Sequence, residues 1–253
     1  MATKTMTGGQ AVVESLKINE VDTVIGLIGS STLEILDALY DSKNIKYIGC
    51  HDERSGIIMS DAYARMKNKH GVFLAGQAGP GATNTITGLA QAKAAFSPVV
   101  SLAGAISSEH EGKDAFQEVD QQLLFTPVTK KSFKVSDTEN IHSVMQEAFK
   151  VAITPRMGPV NINLPRDVMG KTSSFQDPAK YQIDKLPEAK VSSLMKATEL
   201  LTKANNPVII VGAGIKNNSS HETVLALAKL INAPCCTSAG HGDALPFEHP
   251  LNA

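Results

Sequence analysis

Several things are scarce in this sequence. Charge of either sign is balanced: 24 Lys and Arg stand against 25 Asp and Glu, a formal net charge of −1. No run of like charge stands out, so the basic stripe of a nucleic-acid footprint is missing. Only three cysteines occur, Cys50, Cys235 and Cys236, two adjacent and one distant. That spacing fits neither a zinc set nor a disulfide framework. Reduced thiols in a cytoplasmic protein are the expectation. The longest apolar stretches, such as Pro207 to Gly212, fall well below the ~20 residues that cross a bilayer, so no membrane span is expected. The opening MATKTMTGGQ has no apolar core of a secretory signal. No short-period repeat is visible.

What is present argues for a packed protein. The 253 residues are 42% hydrophobic, enough for one large or two ordinary domains. Short β-branched runs alternate with helical patterns. The spacing predicts helices over Thr7–Asn19, Leu33–Tyr40 (capped by Ser31 or Thr32), Glu53–Met66, Thr83–Ala95 and Ile141–Ile153. Between them lie predicted strands at Thr23–Ile28, Ile45–Cys50, Gly71–Ala75, Pro98–Ala103 and Pro159–Leu164. Such alternation implies an α/β fold, a parallel sheet with helices on both faces. From Gly170 to Ala189 periodicity is lost in Ser, Asp, Pro, Lys and Gln. The expected division is a first domain over 1–169, a linker over 170–189 and a second α/β unit over 190–253. That unit reads as helix Ser192–Ala204, strand Pro207–Val211, a Gly212-Ala213-Gly214 turn, helix Glu222–Ile231 and strand Ala233–Thr237. Two strands do not close a parallel layer, so this second unit is expected to be truncated.

Three segments fall at the C-terminal ends of predicted strands, the edge where open α/β sheets bind ligands. They are Ile28-Gly29-Ser30, His51-Asp52-Glu53-Arg54 and the turn Gly76 to Asn84. Taken alone, each has a plain reading. Gly79-Pro80-Gly81 leading into a helix could cradle an anion, but it lacks the Lys-Ser/Thr of a P-loop and equally serves as a tight turn. Asp52 and Glu53 could be exposed first-turn acids meeting a helix dipole. Gly212-Ala213-Gly214 is a lone G-x-G.

Order and spacing together change this. VIGLIGSSTLEILDALYDS, HDERSGIIMSDAYAR, GVFLAGQAGPGATNTITGLAQAKAAFSPVVSLAG, KDAFQEVDQ, PVTKKSF and GPVNINLPRDV resemble, in order and over nearly the whole chain, the acetolactate synthase-like branch of thiamine-diphosphate-dependent enzymes. GPGATN and DAFQE are the most specific parts. The resemblance implies a pyrimidine-binding first domain and the start of a Rossmann-like central domain, which carries FAD or another nucleotide in some members. It implies that Glu53 is the catalytic carboxylate, sharing a proton with N1′ of the cofactor aminopyrimidine so that N4′ becomes the base beside C2. A carboxyl group held in a mostly apolar cleft suits that task. Gly29, Gly79, Pro80 and Asn84 are implied to border the cofactor. Phe116, Gln117 and Lys130 are implied to line the substrate channel, although Phe116 could be core and Lys130 a solvated charge.

The chain departs from the family in places. Asp52 stands where a histidine usually precedes the glutamate, Gln77 where many synthases carry Thr, and Ile28-Gly29-Ser30 replaces a Pro-Gly-Gly loop. The family's Gly-Asp-Gly and downstream Asn, which hold Mg²⁺ on the diphosphate, are represented only by Gly242-Asp243-Ala244 in the wrong domain. No metal ligand is therefore assigned here, and the magnesium site is expected in a C-terminal domain outside this chain, which by itself is expected to be inactive. The implied activity is a carboligase or decarboxylase acting on a 2-oxo acid such as pyruvate, working as a homodimer or homotetramer. PCCTSAGHGDALPFEHPL resembles sulfoacetaldehyde acetyltransferases as well, which keeps that activity, or another 2-oxo-acid decarboxylase, as an alternative. A non-catalytic pyrimidine-domain binding or assembly module is the alternative of another class.

Overall fold

The structure, a computed structural model, describes residues 3–183, 188–212, 214–215, 220–239 and 246–253. The chain forms two compact units, Met1–Ile183 and Asp184–Ala253. The first runs β1 (Thr3–Thr7), α1 (Gly8–Ile18), β2 (Thr23–Leu27), α2 (Leu33–Tyr40), β3 (Lys46–Gly49), α3 (Glu53–Lys67) and β4 (Gly71–Ala75). It continues α4 (Pro80–Asn84), α5 (Ile86–Ala94), β5 (Val99–Ala105), α6 (Gln121–Phe125), β6 (Lys131–Lys134), α7 (Ile141–Ile153), β7 (Val160–Pro165), α8 (Arg166–Gly170) and β8 (Thr172–Gln176).

Six strands make one sheet in the order β3-β2-β4-β5-β7-β6, and every pair is parallel. Alternate residues of each strand feed opposite faces, as pleating requires. Val24, Val72, Leu74, Val100, Leu102 and Ile162 join a core with α1, α2 and α7, through Val12, Leu16, Ile35, Met145 and Phe149. Ile25, Phe73, Ala75, Val99 and Ala103 join a second core with α3, α5 and α6, through Ile57, Leu89 and Phe125. Both faces are covered, which is why the central strands read as continuous apolar runs. Each large side chain so buried contributes roughly 1.5–3 kcal/mol.

The chain leaves β2 for β3 on one side, then returns through α3 to β4 on the other side of β2. The connection therefore reverses direction between β2 and β4. A crevice opens at the C-terminal ends of strands where such a reversal occurs.

Several expectations shift. Helix α7 has the predicted bounds. The long helix predicted over Thr83–Ala95 is two helices, α4 and α5, meeting at Thr85, whose hydroxyl bonds back to the Ala82 carbonyl at 2.7 Å. Neither Ser31 nor Thr32 caps α2 with its side chain; both lie in a 3₁₀ turn over Ser30–Thr32. By contrast Thr7 and Gln10 build a reciprocal capping box at the start of α1, at 3.2 and 2.9 Å. Part of the stretch read as linker is ordered: β8 pairs antiparallel with β1, Thr3 opposite Gln176 and Thr7 opposite Thr172. That ribbon belongs to the first unit.

The second unit contains α9 (Val191–Thr202), β9 (Ile209–Val211), α10 (His221–Leu230) and β10 (Cys235–Thr237). Its two strands are parallel, and Ala228 and Cys235 pack with Ile209, Val224, Leu225 and Leu251. Ala213 of the predicted turn, and Gly242-Asp243-Ala244, lie outside the described residues.

His70 precedes β4 in the first unit, buried at 6% exposure. Its Nε2 donates to the Phe149 carbonyl at 3.0 Å, and its ring meets those of Phe149 and Tyr181 edge-on. Burial pulls it down to about 4 from 6.5. Between those values the native state binds fewer protons than the unfolded chain. Its contribution is thus fully present above pH 6.5 and is lost as the pH falls through that window, by about 3 kcal/mol at most. Urea unfolding across the window should show this slope, and His70→Gln should flatten it. A slope unchanged by the substitution would disprove the assignment.

Candidate active site

The site is built at the reversal point. β2 leads into Ile28-Gly29-Ser30 and β4 into Gly76-Gln77, and their backbones touch. A Cβ on Gly29 would stand 2.3 Å from the Gly76 carbonyl carbon, and one on Gly76 would stand 2.3 Å from the Gly29 nitrogen. Real side chains cannot be that close. Gly76 N–H donates to the Leu27 carbonyl at 3.0 Å, and Ser31 N–H to the Gly76 carbonyl at 3.0 Å. The Ser31 hydroxyl accepts from Ala78 N–H at 3.1 Å. The two turns are thus laced together.

β3 delivers the acidic pair. Asp52 is the N-cap of α3 and accepts from the Arg54 backbone N–H at 2.8 Å. It also pairs with the Arg54 guanidinium at 2.6 Å, which holds its carboxyl down at about 2. Asp52 therefore serves the helix end, and Glu53 turns inward. The buried positions of α3, Glu53, Gly56, Ile57, Ser60, Asp61 and Ala64, follow one helical stripe. Glu53 is 6% exposed, so it is not a solvated first-turn acid. Its Oε2 accepts from Asn84 Nδ2 at 3.0 Å. Its Oε1 faces Gly81, where a Cβ would sit 3.2 Å away. Cys50, at the mouth of the same strand, is buried, and burial pushes its thiol up.

Gly79 turns the chain into α4 with φ 61°. A Cβ there would lie 2.4 Å from the Gln117 carbonyl. Pro80 opens α4, where its fixed φ suits a helix start, and Asn84 closes it. Gln117 is itself left-handed, at φ 64°, an uncommon conformation outside glycine. Its loop is held by Glu118, which accepts from Gly112 N–H at 2.6 Å and Ala115 N–H at 2.9 Å; those amides hold Glu118 below the usual carboxylate range.

Glu53, Gly29, Gly79, Pro80, Asn84 and Gln117 thus come together. Phe116, beside Gln117, is 87% exposed and not core. Lys130 is not brought to this group. It precedes β6 at the opposite, N-terminal edge of the sheet. Its ammonium donates to the Val151 carbonyl and, at 2.7 Å, to the Thr154 carbonyl, satisfying the end of α7. Its ammonium is held by backbone rather than freely solvated, and burial pulls it below the usual lysine value.

Gln121 was not singled out by sequence. Its Oε1 accepts from Gly79 N–H at 3.3 Å, and its Nε2 donates to Gly104 O at 3.2 Å and Asn163 Oδ1 at 3.0 Å. The one available signal was its place in KDAFQEVDQ. Among the described residues no group of three or more His, Cys, Asp or Glu is arranged to hold a metal ion.

Gly79→Ala should cost more than about 1 kcal/mol from the left-handed backbone alone, with the clash against Gln117 adding to it. A denaturation midpoint equal to wild type would show that the turn relaxes freely.

Known proteins resemble both units of this chain. Residues 6–124 match the family model described as thiamine pyrophosphate enzyme, N-terminal TPP binding domain. Residues 194–253 match the thiamine pyrophosphate enzyme central domain. The chain is 36% identical over 253 residues to a "Probable acetolactate synthase large subunit" of Methanocaldococcus jannaschii, covering 97% of this chain and 42% of that protein. It is 34% identical to the acetolactate synthase large subunit of Corynebacterium glutamicum (99% and 40%). It is 36% identical to the acetolactate synthase isozyme 2 large subunit of Escherichia coli (97% and 44%). The chain thus spans less than half the length of these relatives.

Proposed function

This chain belongs to the thiamine pyrophosphate enzyme family, and from that premise we propose that it forms the cofactor-activating end of a carboligase acting on a 2-oxo acid such as pyruvate, with Glu53 as the catalytic carboxylate. The observation that carries this reading is the placement of Glu53: buried, tethered at one oxygen by Asn84, and open at the other toward Gly81.

The residues fit the pyrimidine end of thiamine diphosphate. Gly81 keeps the space beside Glu53 Oε1 free of a side chain, while Gly29 and Gly76 let the two turns close against each other. Bound there, the cofactor supplies carbanion chemistry. The protein's part is proton handling. Asn84 donates to Glu53 Oε2, so Oε1 is the oxygen left to hold a proton and pass it to a ring nitrogen. Low exposure keeps water from competing for that proton. Mg²⁺ would bind through ligands outside this chain. FAD is an option for the second unit, decided by the visible spectrum of the purified full-length protein.

Self-association is part of the proposal. α3 exposes Ile58 at 45%, Met59 at 41% and Met66 at 82%. Asp61 on the same helix is buried with one carboxylate oxygen lacking a hydrogen-bond partner. An apolar face beside an acid with one unpaired oxygen, the other lying 3.9 Å from Arg65, supports at least a homodimer, in a cytoplasmic enzyme.

Glu53→Gln keeps an acceptor for Asn84 and removes only the exchangeable proton. In the full-length protein it should slow cofactor C2–H exchange by roughly 10²-fold or more. Near-normal exchange, read by NMR, would sink the assignment. A second reading, sulfoacetaldehyde acetyltransferase, is favoured by PCCTSAGHGDALPFEHPL. Product analysis separates the two: acetolactate from pyruvate, or acetyl phosphate from sulfoacetaldehyde and phosphate. Calorimetry showing no thiamine diphosphate binding by the full-length protein would favour a purely structural module.

A further inference from the structure

Gln77 leaves the end of β4 between two loops. Its Oε1 accepts from the Ser30 backbone N–H at 3.0 Å and from the Ser30 hydroxyl at 3.1 Å. Its Nε2 donates to Gln117 Oε1. The direction of this amide is settled by chemistry. A backbone N–H can only donate, so the Gln77 atom against it is oxygen, and nitrogen faces Gln117. Gln117 must then present its own oxygen.

Both ends rest on rigid ground. Ser30 follows Gly29, whose backbone is pressed against Gly76. Gln117 is fixed by its left-handed backbone and by the carbonyl seated on Gly79. A half-buried side chain held between two such anchors acts as a strut. It stands close to the carboxylate: a Cβ on Gly81 would lie 3.0 Å from Gln77 Cβ and 3.2 Å from Glu53 Oε1.

We propose that Gln77 is a positioning residue coupling the Gly29–Ser30 turn to the Phe116–Gln117 loop, so that a substrate meeting Gln117 is felt at the turn beside the cofactor. The functional half of this statement rests on the reading of the Glu53 group as a thiamine diphosphate site. The coupling itself does not.

Hydrogen exchange on this chain tests the coupling. Gln77→Leu removes both ends of the strut and should speed exchange at Ser30 N–H about tenfold. Gln117→Leu does not touch Ser30, yet should speed it in the same direction. Gln77→Glu keeps the acceptor for Ser30, and Gln117→Glu keeps the acceptor for Gln77. Both should restore Ser30 to near the wild-type rate. Val100 in β5 serves as the control for general loosening. If Gln117→Leu moves Val100 as well, the two Glu variants decide. Ser30 exchange unaffected by Gln117→Leu, or unrestored by the Glu variants, overturns the proposal.

In the full-length enzyme the Michaelis constant for the second substrate should rise about tenfold in each Leu variant. The double variant should be no worse than the worse single one; fully additive effects would mean two independent residues. Failure of the cofactor reading looks different. Glu53→Gln would then leave C2–H exchange intact while Ser30 still responds to Gln117→Leu.

Discussion

The meeting of the Gly29 and Gly76 backbones is the constraint on which the site depends. Two parallel strands run side by side, and their continuations must separate into helices on opposite faces. Here they stay in contact beyond the sheet, as far as Ser31 and Ala78, before parting. That contact holds the crevice floor and sets the start of the turn through Gly79. It thereby places α4, whose last residue reaches Glu53. A side chain at either glycine would push the turns apart, and the carboxylate would lose its tether.

The two acids at the start of α3 show how a local rule and a global one divide the work. A helix N-terminus needs an acceptor for its free N–H groups. Asp52 provides it and is further satisfied by Arg54. Glu53 is released from that task and follows the buried stripe of its helix, with Ile57 about one turn further on in the core under the sheet. Had the cap fallen to Glu53, its carboxylate would have pointed to solvent.

Much of the fold was legible because a sheet covered on both faces leaves an unmistakable pattern of apolar runs separated by helical periods. Helix α7 carries a strong stripe and was bounded correctly. β6 was not foreseen, since an edge strand of four residues with Lys at both ends has no such pattern. β8 was hidden in a polar stretch because a two-stranded ribbon needs only one buried residue, Phe175. The break at Thr85 was missed because small residues continue through it. In the candidate site, the family motifs pointed to Glu53, Gly79 and Asn84, which the fold brings together. They also pointed to Lys130, which the fold ties to the carbonyls at the end of α7. They did not point to Gln121, whose partners lie on β5, β7 and the Gly79 turn. Contacts of that kind exist only after folding, and no local signal announces them.

The β1–β8 ribbon has a consequence for how such a unit travels between proteins. Because Thr3–Thr7 lies against Thr172–Gln176, the first and last strands of this unit meet at one spot on its surface. A module with adjacent ends can be spliced between other modules, or have its natural ends joined and new ones opened elsewhere, without its sheet being redrawn. The short ribbon works as a clasp, joining the first strand of the unit to its last.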